Sequence, residues 1–117
     1  MRHDGYYLSA PTSYVDHVAG GNQRTGLIHT AFLFLDNGVV KRQTMESKST
    51  LIFFERKDFE EGYPGEYIIK GNLLQVVFDK GQDWELRTTY EISENLITSI
   101  ESNSASGIGQ AYEFHEL

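Results

Sequence analysis

The sequence predicts an all-β fold, a single up-and-down antiparallel barrel of about eight or nine strands with one short helix after the first strand. Three observations carry this prediction. Apolar and polar residues alternate with period two over much of the chain. Tight-turn sequences separate the alternating runs: Asp36-Asn37-Gly38, Gly71-Asn72 and Ser93-Glu94-Asn95. No segment between them is patterned as a crossover helix, so consecutive strands must pair antiparallel. A chain of 117 residues without linker, internal repeat or low-complexity stretch fits one domain, residues 1–117.

Residues 5–10 read as a short aromatic strand, Tyr6 and Leu8 on one face and Tyr7 and Ser9 on the other. Pro11 ends it. Residues 13–20 then read as the helix: Ser13 caps it, Asp16 stands at the capping-box position, and Gly20-Gly21 stops it. Residues 27–35 are almost continuously apolar and rich in β-favouring side chains. The turn after them is best met by a three-residue loop with Gly38 left-handed, which pairs Phe34 with Val40 and puts Phe32, Phe34 and Val40 on one face. Residues 50–55 read as a further strand, and residues 56–65 as a long acidic loop holding at most one helical turn.

The Gly71-Asn72 hairpin defines faces most sharply. It pairs Ile69 with Leu74 and Tyr67 with Val76, so Tyr67, Ile69, Leu74, Val76 and Phe78 face the core. Ile68, Leu73 and Val77 then lie on an outer face that also carries Glu66, Lys70 and Gln75. With Ile97 also read as outward, that apolar flank calls for a covering loop or a second copy of the chain, a homodimer. In the next hairpin a three-residue loop with Asn95 left-handed pairs Ile92 with Leu96. That register sets Arg87 opposite Glu101 and holds Leu96 and Ile100 inside with Trp84 and Leu86. Residues 103–109 are a Ser/Gly loop, and residues 110–115 close the chain with Tyr112 and Phe114 on one face.

Three segments carry a family resemblance. Phe32-Leu33-Phe34-Leu35-Asp36-Asn37-Gly38-Val39-Val40 resembles the aromatic strand and turn that open many lipocalin-like barrels of the calycin type. Gly65-Glu66-Tyr67-Ile68-Ile69-Lys70-Gly71-Asn72 is similar to their recurrent hairpin, and Tyr112-Glu113-Phe114 to their closing strand. The likeness covers most of the chain from residue 27 onward. It departs in two ways: Gly5-Tyr6-Tyr7 stands where a Gly-x-Trp is usual, and there is no cysteine pair. The resemblance implies a closed barrel first and ligand carriage second.

Composition removes several function classes. Without cysteine there can be no disulfide, iron–sulfur cluster, thiolate zinc site or thiol nucleophile. A net charge of −7 disfavours nucleic acid; it serves solubility, and it would steer a basic protein or a cationic ligand toward the surface. No apolar run reaches the ~20 residues of a membrane span. The expected location is the cytoplasm, or outside it if a leader once preceded Met1. His3, His17, His29 and His115 show no metal spacing, and His29 reads as a hydrogen-bonded structural residue among Leu27, Ala31 and Leu33. Asp79, Asp83 and Glu85 lack the spacing of a calcium loop. The glycines of residues 20–26 lack the Gly-Lys-Ser/Thr ending of a phosphate loop. No serine sits in Gly-x-Ser-x-Gly, and Glu60-Glu61 are adjacent rather than opposed. The expectation is therefore a protein without catalytic residues, metal or cofactor.

Two binding readings follow. In the first, a non-enzymatic barrel holds a small apolar or amphipathic ligand at an open end near residues 13–19 and 103–109. Tyr14, Val18, Phe32, Phe34, Tyr67, Trp84 and Tyr112 line that site, and Arg24 meets an anionic head group. A barrel this size can also fill with its own side chains, and the sequence leaves both outcomes open. In the second, the chain is an acidic antagonist, such as an immunity protein, of a basic protein. Its contact is then Asp58, Phe59, Glu60, Glu61 and Tyr63, with the two aromatic residues as anchors.

Overall fold

The computed structural model describes residues 1–17, 21, 23–104 and 108–117, the side chains of residues 16, 17, 23 and 24 excepted. Its strands are β1 (Gly5–Ser9), β2 (Thr12–His17), β3 (Gln23–Phe34), β4 (Val39–Ser47), β5 (Tyr63–Lys70), β6 (Leu73–Phe78), β7 (Leu86–Ser93), β8 (Leu96–Ser102) and β9 (Ala111–Glu116). The only helical element among the described residues is a 3-10 turn, Arg56–Phe59. The sheet order is β1-β9-β8-β7-β6-β5-β4-β3-β2, antiparallel throughout, and β1 also pairs with β3. That last pairing sets Tyr7 opposite Phe32 and closes eight strands into a barrel. Closure leaves the barrel no hydrogen-bonding edge. β2 is an added strand on the N-terminal half of β3, Thr12 opposite Ile28.

Two expected registers hold. Phe34 pairs with Val40 across a turn in which Gly38 takes a φ of 84°, a conformation a side chain resists. Ile69 pairs with Leu74 and Tyr67 with Val76.

Four local expectations are corrected. Residues 12–17 form a strand instead of the start of a helix. Six residues cannot sustain a helix alone, and β3 offers Thr12, Tyr14 and Val15 a ladder. The rest of that expected helix, residues 18–20, lies outside the described residues. Residues 51–55 join no strand ladder, because β5 takes the place beside β4, Val40 opposite Gly65. Trp84 precedes β7 and is 66 % exposed. Finally, β7 and β8 turn through Glu94-Asn95 alone, so Ile92 meets Ile97 and Ser93 meets Leu96. Asn95 does not adopt the left-handed conformation that the longer loop required. One residue of slip exchanges the faces of a strand. Ile97 is therefore fully buried, while Leu96 and Ile100 are exposed. A bulge next to Tyr90 takes up the difference, leaving Thr89 opposite Glu101. Arg87 reaches Gln75 and Glu85 instead, at 3.1 Å and 3.3 Å.

Apolar side chains gather in two bodies. Inside the barrel lie Tyr7, Phe32, Phe34, Val40, Leu74, Val76, Phe78, Tyr90, Ile97 and Tyr112. Outside it, Tyr6, Ala31 and Leu33 are covered by Phe54 and Phe59. The connection after β4 thus straps the outer face of β1 and β3, which is why β3 is apolar on both sides. Asp58 caps the 3-10 turn, accepting the Glu55 N–H at 2.7 Å, and the Phe54 N–H donates to the Tyr6 hydroxyl. His29 is buried beside this strap, its Nε2 3.1 Å from the Ser49 carbonyl. The covered flank is therefore β1 and β3. On the Gly71 hairpin Val77 is buried, but Ile68 and Leu73 are exposed, and Ile69 stands 41 % exposed at the hairpin tip.

Candidate functional site: the open end of the barrel

The two ends of the barrel differ. At the end where β1 begins, Met1 packs against the interior, and the Arg2 guanidinium lies 4.1 Å over the Phe114 ring. The Arg2 N–H donates to the Tyr7 hydroxyl, and the Leu117 N–H donates to the Asp4 carbonyl. Tyr67 closes the same end, its hydroxyl donating to the Leu35 carbonyl. The N-terminal segment therefore plugs this end.

The opposite end opens into a cavity of about 350 Å³. Its floor is aromatic: the rings of Phe32 and Tyr112 stack at 4.7 Å, and Tyr90 meets both edge to face. Its walls mix the hydroxyls of Thr30, Thr44, Thr88 and Ser102 with the apolar Val76, Phe78 and Leu86. The Thr88 and Ser102 hydroxyls lie 3.1 Å apart. Thr30, Thr44 and Ser102 keep access to solvent near the mouth, while the buried Thr88 is satisfied by its Ser102 partner.

Arg42 stands on the same wall. It pairs with Phe32 in the ladder and so shares its inward face. Its guanidinium lies 4.4 Å over the Phe78 ring and 5.1 Å over that of Tyr63. Gly65 makes the stack possible, since a Cβ there would sit 2.7 Å from the Phe78 ring. The Tyr63 hydroxyl donates to Asp79, which pushes the phenol above its ordinary range. Burial pushes Tyr90 far above the usual phenol range, reinforced by Tyr112, while Arg42 pulls the other way. Tyr112 is raised chiefly by burial and lowered by Arg42. Both phenols are therefore neutral hydrogen-bonding groups at any physiological pH.

Of the expected ligand-lining residues, the structure brings only Phe32 and Tyr112 to this cavity. Phe34 is sealed in the interior and Tyr67 lies at the plugged end. Trp84 belongs to the loop joining Phe78 and Leu86, two lining residues, but points into solvent. Tyr14 lines a separate, open depression of about 640 Å³ outside the barrel, between β2 and Lys48. Val18 and the Arg24 side chain lie outside the described residues. The cation at the site is Arg42, which sequence reasoning missed. Its signal was available: Val40 faces inward, and period two puts Arg42 on the same side.

The acidic segment is arranged differently from a contact surface. Phe59 is buried in the satellite core, Asp58 caps the 3-10 turn, and Tyr63 stacks on Arg42. Only Glu60 and Glu61 of that set stand free at the surface. Asp79, Asp83 and Glu85 form a turn in which Glu85 accepts the Gly81 N–H. Among the described residues no group of His, Asp and Glu is placed to hold a metal ion, and no helix is long and apolar enough to cross a membrane. Compared with protein-family models, with curated proteins and with solved structures, the chain matches none.

Proposed function

We propose that this chain is a non-enzymatic binding protein, a lipocalin-like barrel that holds one small amphipathic ligand at its open end. The observation that supports it is the cavity itself: an aromatic floor below a polar rim, at one end of a barrel whose other end is plugged. Pockets of about 300–1,000 Å³ with apolar walls and a few directed polar groups are the usual form of a small-molecule site. Native mass spectrometry and titration with 8-anilinonaphthalene-1-sulfonate test the reading together. The expected result is one dye molecule bound per chain, or a co-purifying ligand of fixed mass. A homogeneous ligand-free mass with no dye binding overturns it.

The second reading, an acidic antagonist of a basic protein, keeps the net charge of −7 and the exposed Glu60 and Glu61 in its favour. Its aromatic anchors are committed elsewhere, so contact falls to the two carboxylates. If reversing both charges leaves capture of a basic partner unchanged, this reading is lost.

A further inference from the structure

Arg42 is out of place for a residue with no function. The chain carries 17 acidic residues against 10 basic ones, so a guanidinium has ample choice of carboxylates. Yet no carboxylate among the described residues forms an ion pair with Arg42, and no described acceptor takes a hydrogen bond from its side chain. Asp79, the carboxylate tied to the same aromatic stack, is taken by the Tyr63 hydroxyl. Arg42 is also partly withdrawn from solvent. A cation held inside a barrel wall loses hydration, and that loss is ordinarily offset by a paired anion. Here stacking on Phe78 and Tyr63 orients the group without using its five N–H donors.

The geometry points to a compact, hydroxylated anion as the occupant of this cavity, with its charged oxygens held by Arg42. This rests on the open end being a binding site and goes beyond that reading by naming the ligand's chemistry. Carboxylate and phosphate oxygens both match the flat fork of a guanidinium. Beside the apolar Val76 and Leu86, hydroxyl partners come from Thr30 and Thr44, and from the further lone pairs of Thr88, Tyr90 and Tyr112, which already bond within the cavity wall. Volume sets the size. At about 350 Å³ the cavity is near the lower limit for ligand pockets, which suits a sugar-sized molecule better than a long acyl chain. The aromatic floor of Phe32 and Tyr112 would meet the apolar face of such a ring.

Four probes test this: glucuronate, glucose 1-phosphate, glucose and decanoate, each titrated into isotope-labelled protein and followed by amide chemical shifts. The expected result is saturable shifts at Thr30, Thr88 and Tyr112 with glucuronate or glucose 1-phosphate, at least tenfold tighter than with glucose. Which of the two binds separates a carboxylate from a phosphate ligand. Arg42→Gln should weaken that binding at least tenfold, with the rest of the spectrum unchanged. Should Arg42→Gln fail to fold, Arg42→Lys keeps the charge but loses the fork and should weaken binding severalfold. The inference is overturned if neither charged sugar binds, if glucose binds equally well, or if neither variant weakens binding. In those cases saturable decanoate shifts at the same amides would leave the open-end reading standing while removing this one.

Discussion

At the level of single residues, the side chains that point into the barrel decide both its stability and its cavity. Ile97 and Leu96 are neighbours of similar chemistry with opposite fates: Ile97 is fully buried and Leu96 is 37 % exposed. Ile97→Ala should therefore destabilise the fold by about 2–5 kcal/mol, and Leu96→Ala by about 1 kcal/mol or less, as read by urea unfolding. Equal effects, or the reverse order, would restore the register in which Leu96 faces inward. This face was the least legible part of the sequence. The alternation Leu96, Thr98, Ile100 is as regular as Ile97, Ser99, Glu101, and only turn geometry chooses between them. Glu94-Asn95 turns without a left-handed residue, which the sequence Ser93-Glu94-Asn95 does not announce. Arg42 was legible in principle through its spacing from Val40. Its residue type points the other way, since arginine is mostly exposed.

At the scale of elements, the segment between β4 and β5 is the informative one. Its alternation is real: Ile52 and Phe54 turn inward, while Leu51 and Phe53 are 71 % and 72 % exposed. What the sequence could not supply is the partner. Residues 51–55 bind the barrel through the side chains of Ile52 and Phe54 and the Phe54 N–H, since β5 already occupies the ladder beside β4. Phe59 is the strap's anchor, packed with Tyr6 at 5.8 Å and Phe54 at 5.5 Å between ring centroids. Phe59→Ala should cost about 3–5 kcal/mol. Hydrogen exchange should show protection lost first around Phe54 and at His29, with the interior strands β6 and β7 affected least. Uniform loss of protection would mean that the strap and barrel form one cooperative unit. The register of the β5–β6 hairpin was legible, because its Gly71-Asn72 turn and its alternating faces specify one pairing together; the depth was not, since Ile69 is exposed at the tip and Val77 is buried. The segment of residues 12–17 misled because Ser13 and Asp16 carry a helix-start signature, while the ladder along β3 was invisible to local reading.

For the molecule as a whole, the barrel was legible because hairpin follows hairpin, and the pairing of first and last strands follows from the need to remove edges. Whether its interior is filled or hollow depends on where each aromatic residue falls along the barrel axis. The sequence records only the inward face, not the depth. Tyr7, Phe34 and Tyr67 fill one end, Phe32, Tyr90 and Tyr112 floor the other, and a cavity of about 350 Å³ remains above them. In the proposed function this cavity receives a ligand, while the exposed apolar residues elsewhere do not. Those residues, Phe53, Leu51 and Ile68, offer a competing surface for any amphipathic molecule. The direct test is to map 8-anilinonaphthalene-1-sulfonate by amide chemical shifts and by intermolecular nuclear Overhauser effects. The account predicts contacts from the dye to Phe32, Thr88 and Tyr112, saturating at one molecule per chain. Contacts confined to Phe53, Leu51 or Ile68, with the cavity residues unmoved, would contradict it.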